Sequence, residues 1–369
     1  MGCLRVAVGA AAPAVFSLYK ILVYLSKIPS ETVREAMRYW DERYYRSVCR
    51  SSILCLFQNI KLKRLLMADV IATIWDFDKT LIPGYMQDPI FDKFKQDGKA
   101  FWDETNAEIA ELQKEGIEVN VDSYYLNKFI EYSRKGGKFE GLKNSDLIEL
   151  GKEIEFYEGV VDLFIAISSL NENKEYREFG ITFENYIVST GFKRMIMGAA
   201  IYPHVKHIWG AELVDVEESG VTHLGKIAYS LDNTTKTRAI FEINKGVGIV
   251  EGASIDVNSK IPMGERRVQF CNMVYVADGP SDVPAFSVIN QKGGATLAVY
   301  PKGNMDAFKQ VDKLRKEDRV QMIAEADYRK DSTAEMWLMR QLEDQARAII
   351  EDKKKVYRQA AGTPRHLSG

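Results

Sequence analysis

The chain has 369 residues, 46% of them hydrophobic, 11% aromatic and 28% charged. That balance excludes a disordered or low-complexity chain, and the length allows two or three domains with a sizeable core. Fifty Lys/Arg against 52 Asp/Glu give a net charge of −2, so no basic excess points to nucleic acid as a partner. Residues 1–66 carry eleven Lys/Arg and four Asp/Glu, a net of +7, leaving −9 for the rest. Val6–Tyr19 is apolar but too short to span a bilayer, and its length is that of a signal-peptide core. Thr32 to Glu35 fits a capping box for a helix through Tyr45. The prefix reads either as a basic helical extension touching a membrane surface or a partner, or as sequence upstream of a chain that starts at Met67. The second is favoured, and nothing in 1–66 looks catalytic.

Val70–Trp75 is a short β-branched run, read as a buried strand that ends in Asp76-Phe77-Asp78-Lys79-Thr80. From about Gly84 to Glu155 the periodicity is helical. Gly159–Leu170 reads as a helix, and Tyr186–Val188 as the middle of a strand ending in Ser189-Thr190-Gly191. Residues 192–232 are mixed, with strand-like pieces at Ala211–Val214 and Lys226–Ser230. Asn233 or Thr234 is expected to cap a helix over Thr235–Asn244, stopped by Gly246. An extra loop follows over 247–270, in which Arg266 and Arg267 are expected on a solvated surface. Met273–Ala277 is a buried strand ending in Asp278-Gly279-Pro280-Ser281-Asp282. Thr296–Tyr300 and Val320–Ala324 are further strands, and Ser332 to about Lys355 is one amphipathic helix. Four cysteines without a CxxC pair suit neither a disulfide framework nor a zinc site. The histidines form no HExxH pattern, and His204 and His207 read as structural or exposed.

Short apolar strands alternating with helices imply a parallel sheet covered on both faces, which binds ligands beyond the carboxyl ends of its strands. The polar clusters at 76–80, 189–191 and 278–282 fall at those ends. Asp76 and Asp78 lie two apart, so an extended backbone turns both to one side. Crowded carboxylates repel and call for a cation. Asp76, Asp78, Asp278 and Asp282 with no histidine favour a hard oxygen-binding ion, Mg²⁺. Ser189 offers a hydroxyl and nearby amides to phosphate oxygens. Lys236 is disfavoured at a helix start by the dipole unless an anion is near, with Lys245 and Lys260 as rivals for its place. Together these fit phosphoryl transfer.

Asp76-Phe77-Asp78-Lys79-Thr80-Leu81, Val188-Ser189-Thr190-Gly191, Lys236 and Ala277-Asp278-Gly279-Pro280-Ser281-Asp282 resemble the four motifs of the haloacid dehalogenase (HAD) superfamily, in order, over about 70–330. The phosphoserine-phosphatase-like branch is the most similar. The resemblance implies an α/β, Rossmann-like core with an inserted α-helical cap. The expected domains are the prefix 1–66, a core of 67–83 plus 156–331, a cap of 84–155, and a C-terminal helix and tail of 332–369. It implies a Mg²⁺-dependent phosphatase in which Asp76 is the nucleophile and Asp78 the general acid, then base. Asp76, Asp278, the Asp78 carbonyl and Asp282 would hold or support the metal. Ser189, Thr190, Gly191 and Lys236 would bind the phosphoryl group.

Asp78 argues against a haloalkanoate dehalogenase. The position that in phosphoserine phosphatases carries a recognition glutamate is Tyr85, which argues against phosphoserine. Tyr85, Met86, Gln87 and Tyr157 at the cap edge, and Lys193 and Arg194 after the serine motif, are candidate substrate contacts. The expected partner is a small phosphorylated metabolite and the expected location cytoplasmic. The alternatives are a phosphotransferase, a catalytically silent scaffold, or membrane association through residues 1–66.

Overall fold

A computed structural model describes residues 69–250 and 255–361 of the chain. The readings for 1–66 lie outside the described residues. Asp69–Trp75 forms β1, buried over its last six residues. Its side chains alternate between two cores. Ile71 and Trp75 enter one, and Val70, Ala72 and Ile74 the other. A strand with no polar face belongs in the middle of a sheet covered on both sides. β1 pairs in parallel with β2 (Ile181–Phe192) and with β5 (Met273–Ala277). β3 (Val205–Glu218), β4 (Val221–Tyr229), β6 (Ala295–Tyr300) and β7 (Met322–Glu325) complete the order β4-β3-β2-β1-β5-β6-β7, parallel except for β3–β4. The order reverses between β1 and β5, which opens a crevice at their carboxyl ends.

Helices cover both faces. α5 (Val160–Ser169) and α11 (Thr333–Ala361) share a core with Trp75, α11 through Leu338, Leu342 and Ala346 at helical spacing. α8 (Lys236–Lys245), α9 (Val283–Gln291) and α10 (Met305–Lys316) cover the other face, burying Ile240, Phe286 and Val311 among others. Each such side chain contributes about 1.5–3 kcal/mol by leaving water. Lys353 ties α11 to the sheet through Asp69 at 2.7 Å. Among the described residues, no helix is long and apolar enough to cross a membrane.

Between β1 and α5 the chain makes four helices: α1 (Asp88–Phe94), α2 (Gly98–Lys114), α3 (Val121–Ser133) and α4 (Asn144–Gly151). Asp97 and Asn120 cap α2 and α3 with their side chains. The core of this insertion is aromatic. Phe91, Phe101, Phe129 and Phe139 have ring centroids 4.8–6.0 Å apart. After α6 (Lys174–Glu178) and β2 comes α7 (Lys193–Gly198), which crosses α4 at two glycines. A Cβ on Gly198 would fall 1.9 Å from the Ile148 carbonyl oxygen, and one on Gly151 would fall 2.0 Å from that of Met195. Only hydrogen fits at either place.

Two features differ from the sequence reading. The pieces expected at Ala211–Val214 and Lys226–Ser230 belong to one long antiparallel hairpin, turned by Ser219 and Gly220, both at positive φ. The hairpin reaches the insertion. Leu224 N–H donates to the Leu142 carbonyl at 2.8 Å, and the Asn144 amides donate to Asp215. Second, Ser189–Gly191 lies within β2 rather than after it. The pairing with β3 jumps from Val188↔Trp209 to Phe192↔Ala211, so the motif occupies a bulge. Bulges re-aim side chains, which is how a strand interior presents Ser189 at the crevice.

Candidate active site

Asp76 follows β1 directly, and its N–H donates to the Val276 carbonyl of β5 at 2.9 Å. Its side chain is buried, 160 residues in sequence from the lysine that holds it. That lysine is Lys236, the first residue of α8. Its Nζ donates to Asp76 Oδ1 at 2.7 Å and to Asp282 Oδ1 at 2.9 Å. Asp232 sets this geometry. Its Oδ1 accepts the amides of Thr234 and Thr235 at 2.9 and 2.7 Å, and its carbonyl accepts that of Lys236 at 3.0 Å. The helix start expected at Asn233 or Thr234 is thus organised by Asp232, with Thr235 at the N-cap position.

Asp282 is fully buried. Tyr275 Oη donates to its Oδ1 at 2.5 Å, and Ser281 Oγ donates to its Oδ2 at 2.9 Å. Asp76, Asp278 and Asp282 each present a carboxylate oxygen within 4.8 Å of the others. The Asp78 carboxylate stands outside that group and accepts the Met86 amide at 2.9 Å.

Three carboxylates face one ammonium, and the field shows it. Burial, with Asp282 adding repulsion, pushes Asp76 up to about 6 although Lys236 opposes the shift. Burial together with Asp76 pushes Asp78 up to about 8. Burial with Asp76 and Asp282 pushes Asp278 up to about 7. For Lys236, burial favours the neutral amine, but Asp282 and Asp76 outweigh it and hold the ammonium.

On the β2 bulge Ser189 is buried, and its Oγ accepts the Gly191 amide at 3.1 Å. The Thr190 carbonyl accepts Tyr125 Oη from α3 at 2.7 Å. Asp122 of α3 lies beside the Thr190 side chain, which opposes the rise that burial gives its carboxyl, and Asn120 Nδ2 donates to Asp232 Oδ2 at 3.1 Å. The insertion therefore docks on two of the motif-bearing segments. A cleft of about 850 Å³ lies beside them, lined in part by Asp78, Thr190, Tyr85, Gln87, Trp102 and Asp122.

The remaining candidates lie elsewhere. Lys193 and Arg194 both pair with Glu212, at 2.9 and 3.2 Å, so their charges are committed away from the crevice. Lys245 Nζ donates to the Ser259 carbonyl at 2.8 Å and pins the loop after α8; Lys260 is exposed. Of the three lysines, Lys236 is the one at the carboxylates. Met86 is buried against Gly191, whose missing Cβ leaves room for it. Tyr85 packs on Trp102 and accepts Lys79 Nζ at 2.7 Å. Tyr157 is half-buried, and its N–H donates to the Leu81 carbonyl at 2.9 Å. The solvated surface expected for Arg266 and Arg267 is corrected: Arg267 pairs with Glu184 at 2.7 Å and with the Tyr186 hydroxyl, and Arg266 donates to Asn244. These contacts fasten the extra loop to the sheet. Sequence reasoning missed Asp122, Tyr125, Asp232 and Tyr275. Only Asp232 left a signal, an Asx turn just ahead of Thr234 and Thr235.

No protein-family model matches the chain. A Borreliella burgdorferi protein described as uncharacterized is 37% identical over 289 residues, covering 74% of this chain and 97% of its own. Similar solved structures include a HAD family hydrolase from Salmonella enterica serovar Typhi, at 12% identity, with 78% of this chain and 77% of that chain covered and a TM-score of 0.41. Another is a probable phosphoserine phosphatase from Vibrio cholerae, at 14% identity, 76% and 66% coverage and a TM-score of 0.42.

Proposed function

The chain belongs to one family with the Borreliella burgdorferi protein, and we propose for it a Mg²⁺-dependent phosphatase of the HAD type that hydrolyses a small phosphomonoester. The observation that carries this reading is the buried set of Asp76, Lys236 and Asp282 with Asp278 beside it, at the point where the strand order reverses. The donor set fits the ion. It is all oxygen, and its three carboxylates exceed the single ammonium among them, so a divalent cation relieves the repulsion that adds to burial in raising Asp76 and Asp278. Asp76, Asp278 and Asp282 would hold it, with the Asp78 carbonyl. When bound, Mg²⁺ offsets the charge on the phosphoryl oxygens and the nucleophile.

The residues divide the work. An Asp76 oxygen bonds to phosphorus as the ester P–O bond breaks, and the Asp78 carboxyl gives its proton to the departing alcohol. A water then attacks the aspartyl-phosphate and yields its proton to the Asp78 carboxylate. Phosphate leaves, and Asp76 is regenerated. Lys236 opposes protonation of Asp76, whereas burial and the neighbouring Asp76 favour a protonated Asp78, and this ordering suits the opposite duties of the two carboxyls. Lys236 orients Asp76 and, with Ser189, Thr190 and Gly191, takes phosphoryl oxygens. Residues 84–155 act as the cap, over a core of 67–83 and 156–331. The α11 helix of the 332–369 segment packs against that core. Action on a cytoplasmic metabolite completes the reading. It is tested by BeF₃⁻, which mimics the phosphoaspartate. Inhibition in the presence of Mg²⁺ is expected, and full activity at saturating BeF₃⁻ would contradict the covalent route.

A further inference from the structure

The cleft that takes in Asp78 is acidic, and helix termini explain only part of it, since Asp88 and Asp122 stand in first turns and Asp92 does not. Asp88 and Asp92 line it one turn apart on α1, and Asp122 lines it from α3. Like charges at i, i+4 destabilise a helix by a few tenths of a kcal/mol, about 0.2–0.5. No lysine or arginine among the described residues lies within ion-pair distance of these three carboxylates. Among the described residues that line the cleft the one cation is Lys99, which pairs with Asp103 at 2.5 Å. A second, independent observation is Gln87. Its side chain is 2% exposed and lines the same cleft, yet its Oε1 has no hydrogen-bond donor. A buried acceptor left unmet costs about 1–3 kcal/mol unless a ligand supplies the donor. Tyr85 and Trp102 add aromatic rings, with centroids 5.7 Å apart, to the same wall.

We propose that this cleft selects phosphomonoesters whose alcohol carries a primary ammonium and no anionic group, with Gln87 Oε1 and Asp122 as the residues that recognise the ammonium. The inference rests on the phosphatase reading, because Asp78 is the proposed proton donor to the departing alcohol and so places that alcohol in the cleft. A substrate carboxylate or second phosphate would enter a wall of aspartates whose one lining cation among the described residues, Lys99, is paired with Asp103. A neutral alkyl alcohol would leave Gln87 unmet.

The test compares 2-aminoethyl phosphate, n-propyl phosphate and O-phosphoserine, with p-nitrophenyl phosphate as a generic ester, all with Mg²⁺. The expected kcat/KM for 2-aminoethyl phosphate exceeds those for n-propyl phosphate and O-phosphoserine by at least about tenfold, as for a hydrogen bond to a charged group. In Asp122→Asn and in Gln87→Leu the ratio of 2-aminoethyl to n-propyl phosphate falls toward one. The ratio is read within each variant, so a loss of overall activity or folding does not mimic the result. Equilibrium binding to Asp76→Asn supplies a second readout, with 2-aminoethyl phosphate expected about tenfold tighter than n-propyl phosphate. Turnover of p-nitrophenyl phosphate with no preference among the other three overturns the selectivity and leaves the phosphatase reading standing. No metal-dependent release from any ester overturns both.

Discussion

Asp76 and Asp78 stand two residues apart, yet their surroundings separate them. Lys236 holds Asp76 at 2.7 Å and opposes its protonation; Asp78 accepts the Met86 amide and feels Lys236 only at a distance. The Asp78 carboxyl, pushed up to about 8, is the better proton donor at neutral pH. Asp78→Asn is therefore expected to slow hydrolysis of an alkyl phosphate by about 10²–10⁴. In kcat/KM, which reads formation of the aspartyl-phosphate, p-nitrophenyl phosphate should be slowed much less, because that leaving group needs no proton; the later hydrolysis of the intermediate is slowed equally for both esters. Equal losses of kcat/KM on the two esters would remove Asp78 from the acid role. The four aspartates and Lys236 were legible in the sequence because each sits in a short pattern at a strand end or helix start. Tyr275 and Asp122 were not. A tyrosine inside a buried strand looks like core, and nothing in its spacing shows that its hydroxyl meets Asp282. Asp122 is an ordinary acidic residue in the first turn of a helix until folding brings Thr190 to it.

At the scale of elements, the crossing of α4 and α7 links the insertion to the helix that follows the Ser189 bulge. Two glycines let those backbones touch. Gly198→Ala is expected to destabilise the protein by about 1–3 kcal/mol, read as a lowered midpoint in urea. An unchanged midpoint would mean that the crossing relaxes without cost. The contacts of α3 have a different consequence. Asn120→Ala removes the hydrogen bond to Asp232, which sets the start of α8. Because Asn120 also caps α3, a stability loss of about 0.5–2 kcal/mol is expected in melting together with a KM raised several-fold in steady-state kinetics. The β3–β4 hairpin was legible only in pieces, because acidic residues take over from Asp215 to Glu218 where the strand leaves the sheet. Its regularity comes from pairing with β4, and local pattern does not report pairing. The β2 bulge escaped notice for the same reason, since it is a property of register with β3.

Over the whole molecule, the alternation of apolar strands and helices carried the parallel sheet and both its covers, because β1, β5 and β6 are buried nearly throughout. The same burial gives the metal-free protein a pH signature. Asp76, Asp278 and Asp78 have folded values of about 6, 7 and 8, above the ordinary value near 4. Raised carboxyls contribute stability that is full below pH ~4 and is lost as pH rises through their folded values. Without metal, the melting temperature is expected to fall by several degrees, on the order of 5 °C, between pH 5 and 8.5. Mg²⁺ is expected to restore it at the higher pH, and a flat profile would refute the crowded-carboxylate picture. The most direct measurement is phosphate release from a panel of phosphomonoesters, with Mg²⁺ and with EDTA, for the wild-type protein and Asp76→Asn. The expected result is metal-dependent release that falls by ~10³ or more in the variant. Release that survives in Asp76→Asn, or that ignores EDTA, would contradict a nucleophilic Asp76 in a metal-dependent phosphatase.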